Sequence, residues 1–211
     1  MKVSIVKPAE LGPSELSVWR QIQKGDAQFS NPCFMPGFTC AAAKVRSDVE
    51  VAILEEAGSV RGFFPFHRVD NKAAVPIGST LSDMHGIVVE PGFVWEPLDL
   101  LQKCRLQGWK FDHLIASQKQ FAPFHSSLDD SPYMDLSGGF DAYLAARRSA
   151  GSSVVRNAKR KARKLEREFG PVRFELHDDT PGALEKLIEF KTDQLQRRAL
   201  RICSGTPGSR S

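Results

Sequence analysis

The chain has 211 residues, of which 41% are hydrophobic and 26% charged, and its formal net charge is +4 at pH 7. These proportions are close to the average of globular proteins and exclude a disordered chain or a collagen-like repeat. No stretch reaches the roughly 18–20 uncharged apolar residues that a membrane-spanning helix needs. Near the start, Lys7 and Pro8 interrupt an apolar run that is too short for a secretion signal. We therefore expect a cytoplasmic protein.

The first half of the chain predicts helices alternating with short strands. Ser14 is a suitable N-cap, and apolar residues recur behind it at helical spacing, which predicts an amphipathic helix over 14–23. Residues 49–54 and 60–69, separated by the turn 56–59, predict a hairpin instead. Further helices are predicted over 38–45 and 96–107, and further strands over 73–77, 109–116 and 133–136.

The second half differs from the first in its charge. Residues 140–211 carry 16 Lys and Arg against 9 Asp and Glu, whereas residues 1–139 carry 13 against 16. We therefore expect a domain boundary near Gly138 and Gly139. Helices are predicted over 140–148, 154–169 and 180–195, a strand over 172–176, and a disordered tail from about residue 199 to 211.

Strands interleaved with helices predict an α/β fold with a mixed sheet. We expect a complete first domain over residues 1–139 and only the start of a second domain over 140–198. One strand and a few helices are too little to close a hydrophobic core of their own.

The four cysteines predict neither a metal site nor a redox motif. Zinc sites and dithiol motifs need closely spaced ligand pairs, and no such pair occurs here. We therefore expect no metal, and reduced thiols that act as small apolar side chains, at Cys33, Cys40, Cys104 and Cys203.

Five segments, in their order and spacing, resemble one bacterial family. They are Gly62-Phe63-Phe64-Pro65-Phe66, Leu81-Ser82-Asp83-Met84-His85-Gly86, Phe111-Asp112-His113-Leu114, Ser131-Pro132-Tyr133-Met134-Asp135-Leu136, and the basic run from Arg160 to Glu168 before Gly170. Together they are similar to the bacterial cellulose-biosynthesis acetyltransferases of the CelD/BcsL type, within the GNAT superfamily. The resemblance covers residues 1–198.

This resemblance implies two tandem GNAT-like halves, laid out as in the FemAB aminoacyltransferases. It implies acetyl-CoA as co-substrate and transfer of the acetyl group to an amine or hydroxyl of a cell-envelope or exopolysaccharide precursor. It also implies that the second half supplies most of the acyl-CoA site. After Arg198 the sequence departs from the family pattern, so we expect truncation to impair the activity.

The usual GNAT pyrophosphate loop, [Q/R]-x-x-G-x-[G/A], holds the CoA phosphates with backbone N–H groups and a helix N-terminus. The chain has no match: Arg105-Leu106-Gln107-Gly108 begins correctly, but Trp109-Lys110 follows. The sequence thus predicts no residue for acetyl-CoA binding. The alternative function is a non-catalytic fragment that acts as a binding or scaffold module.

Asp83 and His85 are the candidate catalytic residues. They lie two positions apart in a glycine-flanked loop, where a general base is accessible to substrate. The alternative is a turn in which Asp83 bonds its own backbone and His85 is solvated. Asp112 and His113 fall inside a predicted strand, so we expect their side chains on opposite faces, unable to act as a pair.

Four residues of the predicted helix 154–169 are candidate anion-binding residues, namely Arg156, Arg160, Arg163 and Lys164. Dense Lys and Arg attract phosphate-bearing or other acidic partners. The basic side chains spread over more than half of the helix circumference, and no aromatic residue interleaves them, so we do not expect nucleic acid. The alternative is a solvated amphipathic helix without a partner.

Overall fold

The computed structural model describes residues 1–203. The predicted tail over 199–211 therefore lies outside the described residues from position 204 onward. Within these residues, the six α-helices and six β-strands are, in chain order, β1 (Lys2–Val6), α1 (Pro13–Gly25), α2 (Pro36–Val45), β2 (Val49–Glu56), β3 (Ser59–Arg68), β4 (Ala73–Pro76), β5 (Val88–Val89), α3 (Pro97–Lys103), β6 (Gly108–Trp109), α4 (Gly139–Ser149), α5 (Val154–Phe169) and α6 (Ala183–Cys203).

The chain divides into two compact units, with the boundary between Asp130 and Ser131. The first unit contains the whole sheet and helices α1, α2 and α3, and the second contains α4, α5 and α6. None of the helices within residues 1–203 is long and apolar enough to cross a membrane.

The first unit is built on one six-stranded mixed sheet, which confirms the predicted α/β class. The strand order is β1-β2-β3-β4-β6, and β5 pairs with β3. All pairs are antiparallel except β4 and β6, which run parallel. A parallel pair requires a crossover connection, and the chain between these two strands makes that crossover through α3.

The predicted hairpin forms the centre of the sheet. Glu56 pairs with Ser59, so Ala57 and Gly58 form a two-residue turn. Both central residues have positive φ, 50° and 80° respectively, as the turn type that matches the natural twist of two strands requires. A glycine at the second position adopts this conformation without steric strain.

Alternating side chains of the hairpin supply two hydrophobic clusters, one on each face of the sheet. Residues at successive positions of a strand point to opposite faces. Ala52, Leu54, Phe64 and Phe66 join one cluster with Trp109 and Phe121, whereas Val51, Ile53 and Phe63 join the other with Trp19, Ile22 and Phe29. The sheet is therefore buried on both sides.

The predicted strand 109–116 is wrong beyond its first residue. Strand β6 pairs Gly108 with Ala73 and Trp109 with Ala74, and the chain then leaves the sheet. Continued pairing in this register would bring the chain opposite Pro76, the last residue of β4. Proline has no N–H to donate to a ladder, which is one reason why the paired segment is short.

The predicted strands 133–136 and 172–176 are also absent, since both segments are irregular. Their alternating apolar residues are exposed, Val172, Phe174 and Leu176 among them, and neither segment pairs with another strand. The alternation of apolar and polar residues in these two segments therefore does not lead to a strand. The predicted helix 96–107 ends early, at Lys103, and α6 continues to Cys203, into the segment predicted as tail.

The second unit buries very little apolar surface. Among residues 131–197, only Leu144 is buried. Large apolar side chains on its helices are exposed instead, namely Phe140, Val154, Leu165, Phe169, Leu184, Leu187, Ile188, Phe190 and Leu195. Helix stability in proteins comes mainly from packing an apolar face, so these helices lack the support that α1 and α3 have.

Replacing Phe63 by Ala should destabilise the first unit by about 3–5 kcal/mol, the usual loss for deleting a buried aromatic ring. Phe63 is fully buried and stacks on Trp19 with ring centroids 4.6 Å apart. Urea unfolding followed by Trp fluorescence measures the change. The matched variant F124A removes a half-exposed ring and should lose less than about 1 kcal/mol. Equal losses would contradict the described core.

Candidate functional site at the ends of the parallel strands

The loops that follow β4 and β6 leave the sheet at the same end, because the two strands are parallel and their carboxyl ends lie side by side. In open α/β sheets, the carboxyl ends of parallel strands are where ligands bind. The first loop, residues 77–87, contains the predicted candidates Asp83 and His85. The second loop, residues 110–118, contains Asp112 and His113.

Backbone hydrogen bonds fasten these two loops together at His85. The His85 N–H donates to the His113 carbonyl at 2.8 Å, and the Ile115 N–H donates to the His85 carbonyl at 3.0 Å. These bonds form an isolated parallel bridge between His85 and Leu114. The loops thus continue, for one step, the parallel pairing that the strands begin.

The side chain of His85 adds a further contact to the second loop. Its Nδ1 accepts a hydrogen bond from the His113 N–H at 3.2 Å, with the Asp112 N–H at 3.5 Å. The side chain is only 1% exposed. His85 is therefore a buried residue that positions residues 112 and 113, not the solvated side chain of the turn hypothesis.

Three titratable side chains meet at this point. The Asp112 Oδ1 lies 3.2 Å from the His85 Nδ1 and 3.1 Å from the His113 Nδ1. Asp112 and His113 are about half exposed, at 55% and 49% of their side-chain surface. The cluster therefore consists of one buried residue, His85, and two residues that are accessible from solvent, Asp112 and His113.

The burial and the hydrogen bonds of His85 indicate where its ring proton lies. Burial lowers the pKa of His85, although the charge of Asp112 and the backbone of Ser79 act in the opposite direction. His85 is thus neutral at pH 7, and because its Nδ1 accepts a hydrogen bond, its proton is on Nε2. Within the described part of the chain, this Nε2 has no hydrogen-bond partner.

The hydrogen bond from His113 lowers the pKa of Asp112, against the opposing effect of burial. Asp112 is therefore a carboxylate at pH 7, and its Oδ1 lies 3.1 Å from the His113 Nδ1, so a neutral His113 that carries its proton on Nδ1 directs it towards the carboxylate. The other nitrogen of His113, Nε2, is then left as a proton acceptor. A histidine oriented by a carboxylate in this way is the arrangement of a general base.

The expectation that Asp112 and His113 face opposite sides is wrong. The backbone bends at both residues instead of continuing β6 as a strand, so the alternation rule does not apply and the two side chains contact each other. Asp83 is exposed, whereas the His85 Nδ1 contacts the backbone of the second loop and the same ring is also near the backbone of Ser79. The catalytic roles predicted for Asp83 and His85 stay predictions.

The buried side chain of Gln118 hydrogen-bonds the backbone of the first loop at Ile87. Its Oε1 accepts from the Ile87 N–H at 3.0 Å, and its Nε2 donates to the Ile87 carbonyl. Gly86 allows this close approach, because a Cβ at that position would lie 3.1 Å from Oε1. The Gln118 side-chain amide thus makes with the Ile87 backbone the two hydrogen bonds that a neighbouring strand would otherwise make. Ile87 lies two residues after His85.

The predicted anion-binding residues lie on α5, in the second unit. Arg156, Arg160, Arg163 and Lys164 are all exposed. Within residues 131–197, the ion pair on this helix is that of Lys164 with Glu168, at 3.6 Å. Anion binding by this helix stays a prediction.

The chain matches no protein-family model, no curated protein and no solved structure.

His85→Ala should open the second loop, because it removes the acceptor for the His113 N–H and the packing of a buried ring. A loss of about 2 kcal/mol in unfolding free energy is expected. His85→Asn keeps a side-chain oxygen near the position of Nδ1 and should retain part of this bond. Amide exchange at His113 is the measurement: it should be faster in H85A than in H85N. Equal exchange in the two variants would rule out His85 Nδ1 as the acceptor.

Proposed function

We propose that this chain is a GNAT-type acyltransferase of the cellulose or exopolysaccharide biosynthesis type, acting in the cytoplasm. It transfers an acetyl group from acetyl-CoA to an amine or hydroxyl acceptor, with His113 as general base. The observation that carries the proposal is the 3.1 Å contact between Asp112 and His113, placed after the parallel strand pair. His113 is half exposed, so its Nε2 is accessible to an acceptor.

The positions of the family-like segments support this assignment. The segments 81–86 and 111–114, which carry part of the resemblance, are the two that meet at the cluster. A third, residues 62–66, lies in β3, the strand that pairs with β4. The mixed sheet with one parallel pair is compatible with a GNAT-like fold.

The chemistry follows from the proton positions. The acceptor nitrogen or oxygen attacks the thioester carbonyl carbon while His113 Nε2 takes the acceptor's proton. The negative charge of Asp112 stabilises the imidazolium that forms. As the tetrahedral intermediate collapses, the C–S bond breaks and the thiolate leaves. The proton on His113 then returns to solvent or to that thiolate. A positioned base of this kind contributes about 10²–10⁴-fold to the rate.

His85 has a positioning role in this mechanism. It touches neither acceptor nor thioester, because its side chain is buried, but its Nδ1 and backbone hold the segment that carries the base. The pyrophosphate pattern of the superfamily does not occur in the chain, so we assign none of its residues to the CoA phosphates.

Acetyl-CoA turnover by the full chain tests the proposal. Calorimetry should detect acetyl-CoA binding, and release of free thiol should be measurable with a panel of amines, amino sugars and hydroxyl acceptors. His113→Ala should lower the turnover about 10²–10⁴-fold while leaving acetyl-CoA affinity within about twofold, because the base contacts the acceptor. The matched control H177A changes an exposed histidine of the second unit and should keep full turnover.

The alternative is a non-catalytic module whose basic helix binds an anionic partner. It is favoured by the exposure of Arg156, Arg160 and Arg163 on α5. No heat with acetyl-CoA up to millimolar concentration, together with no thiol release for any acceptor, would contradict the acyltransferase proposal and support this alternative.

A further inference from the structure

The three side chains at the strand ends have the spacing of metal ligands. One ligand atom from each of His85, Asp112 and His113 lies within 4.8 Å of the other two. The two closest separations are 3.2 Å and 3.1 Å, both measured from the Asp112 Oδ1. Metal–nitrogen and metal–oxygen bonds to Zn²⁺ are about 2.0–2.2 Å long. Ligand atoms in tetrahedral or octahedral sites are therefore about 3.0–3.5 Å apart, which is the separation of the Asp112 Oδ1 from each of the two histidine nitrogens.

The His85 Nδ1 is the point where the cluster meets. It accepts the hydrogen bond from the His113 N–H at 3.2 Å, and the Asp112 Oδ1 lies 3.2 Å from the same nitrogen. A neutral imidazole has one acceptor nitrogen, so an ion bound to Nδ1 takes the place of the hydrogen bond from the His113 N–H. The neighbouring carboxylate favours a positive charge at that position.

The site is also pre-organised and accessible. His85 is 1% exposed and cannot move freely, whereas Asp112 and His113 are about half exposed. An ion can therefore reach Asp112 and His113 from the solvent and also bind His85, whose ring is held in place by its burial. Such a site loses less side-chain entropy on binding than three mobile surface residues would.

We propose that His85, Asp112 and His113 bind a divalent transition-metal ion, with Zn²⁺ the best fit to two imidazoles and one carboxylate. Imidazole suits Zn²⁺ and its transition-metal neighbours, whereas Ca²⁺ and Mg²⁺ prefer oxygen ligands throughout. Three protein ligands leave a fourth position open. The site was not expected from the sequence, because its ligands are brought together by two loops and not by a spaced motif.

Metal binding would regulate the proposed reaction. An ion on the His113 Nδ1 displaces the proton that this nitrogen shares with Asp112 and leaves a metal-bound imidazole, which is a poor base. The ion is then an inhibitor that competes with protons for the same atoms. This consequence rests on the proposed function, whereas the binding itself does not.

Titration of the metal-free full chain with Co²⁺ tests the binding directly, with visible absorbance as the readout and Zn²⁺ as the competitor. We expect saturation at one ion per chain and displacement of Co²⁺ by Zn²⁺. Asp112→Asn and His113→Ala each remove an accessible ligand and should weaken binding by at least about tenfold. H177A should bind as the unmodified chain does. Far-UV circular dichroism confirms that each variant is folded.

Two outcomes would overturn the site: no saturable binding up to millimolar Co²⁺, or binding in D112N and H113A that is as strong as in the unmodified chain. Failure of the proposed function is distinguishable from either. If the ion binds at one per chain but leaves acetyl transfer unchanged, the metal site stands and His113 is not the base. If the ion binds and transfer stops until a chelator is added, both proposals are supported.

Discussion

The parallel pairing of β4 with β6 is the constraint on which the candidate site depends. Antiparallel neighbours would send the chain out at opposite ends of the sheet, whereas a parallel pair sends both loops out at one end. The crossover through α3 makes this pairing possible, and Leu100 and Cys104 anchor it in the core beside Trp109. The meeting of His85 with residues 112 and 113 then follows from the topology.

Packing makes this edge of the sheet rigid enough to hold a site. The central hairpin is buried on both faces, and Trp109, the last residue of β6, packs against both Phe64 and Phe121. The second unit has no comparable core within residues 131–197. Precise positioning of catalytic or metal-binding groups requires such support, which favours the first unit as the place of chemistry.

The central hairpin and α5 were predicted from the sequence close to their observed bounds, because period and turn or stop residues agree there. The sequence did not predict β1, and Ser14, the predicted N-cap, lies inside α1, whose N-cap is Gly12. The strand prediction failed for 172–176, where Val172 and Phe174 alternate as in a strand but no strand within residues 1–203 pairs with the segment. The prediction of the site was only partly right. The sequence indicated His85 as a candidate residue, but it predicted that Asp112 and His113 could not act as a pair, because side chains alternate between faces inside a strand and these two residues lie outside one. The length of β6 depends on its pairing with β4, which local pattern does not reveal.

The most direct measurement of the central arrangement is a long-range ¹H–¹⁵N correlation spectrum of the histidine rings in the full chain at neutral pH. We expect a neutral His85 with its proton on Nε2 and an unprotonated Nδ1 that accepts from the His113 amide. We also expect a His113 protonated on Nδ1, next to Asp112. A His85 ring protonated on Nδ1, or one that titrates like a solvated histidine, would contradict this arrangement.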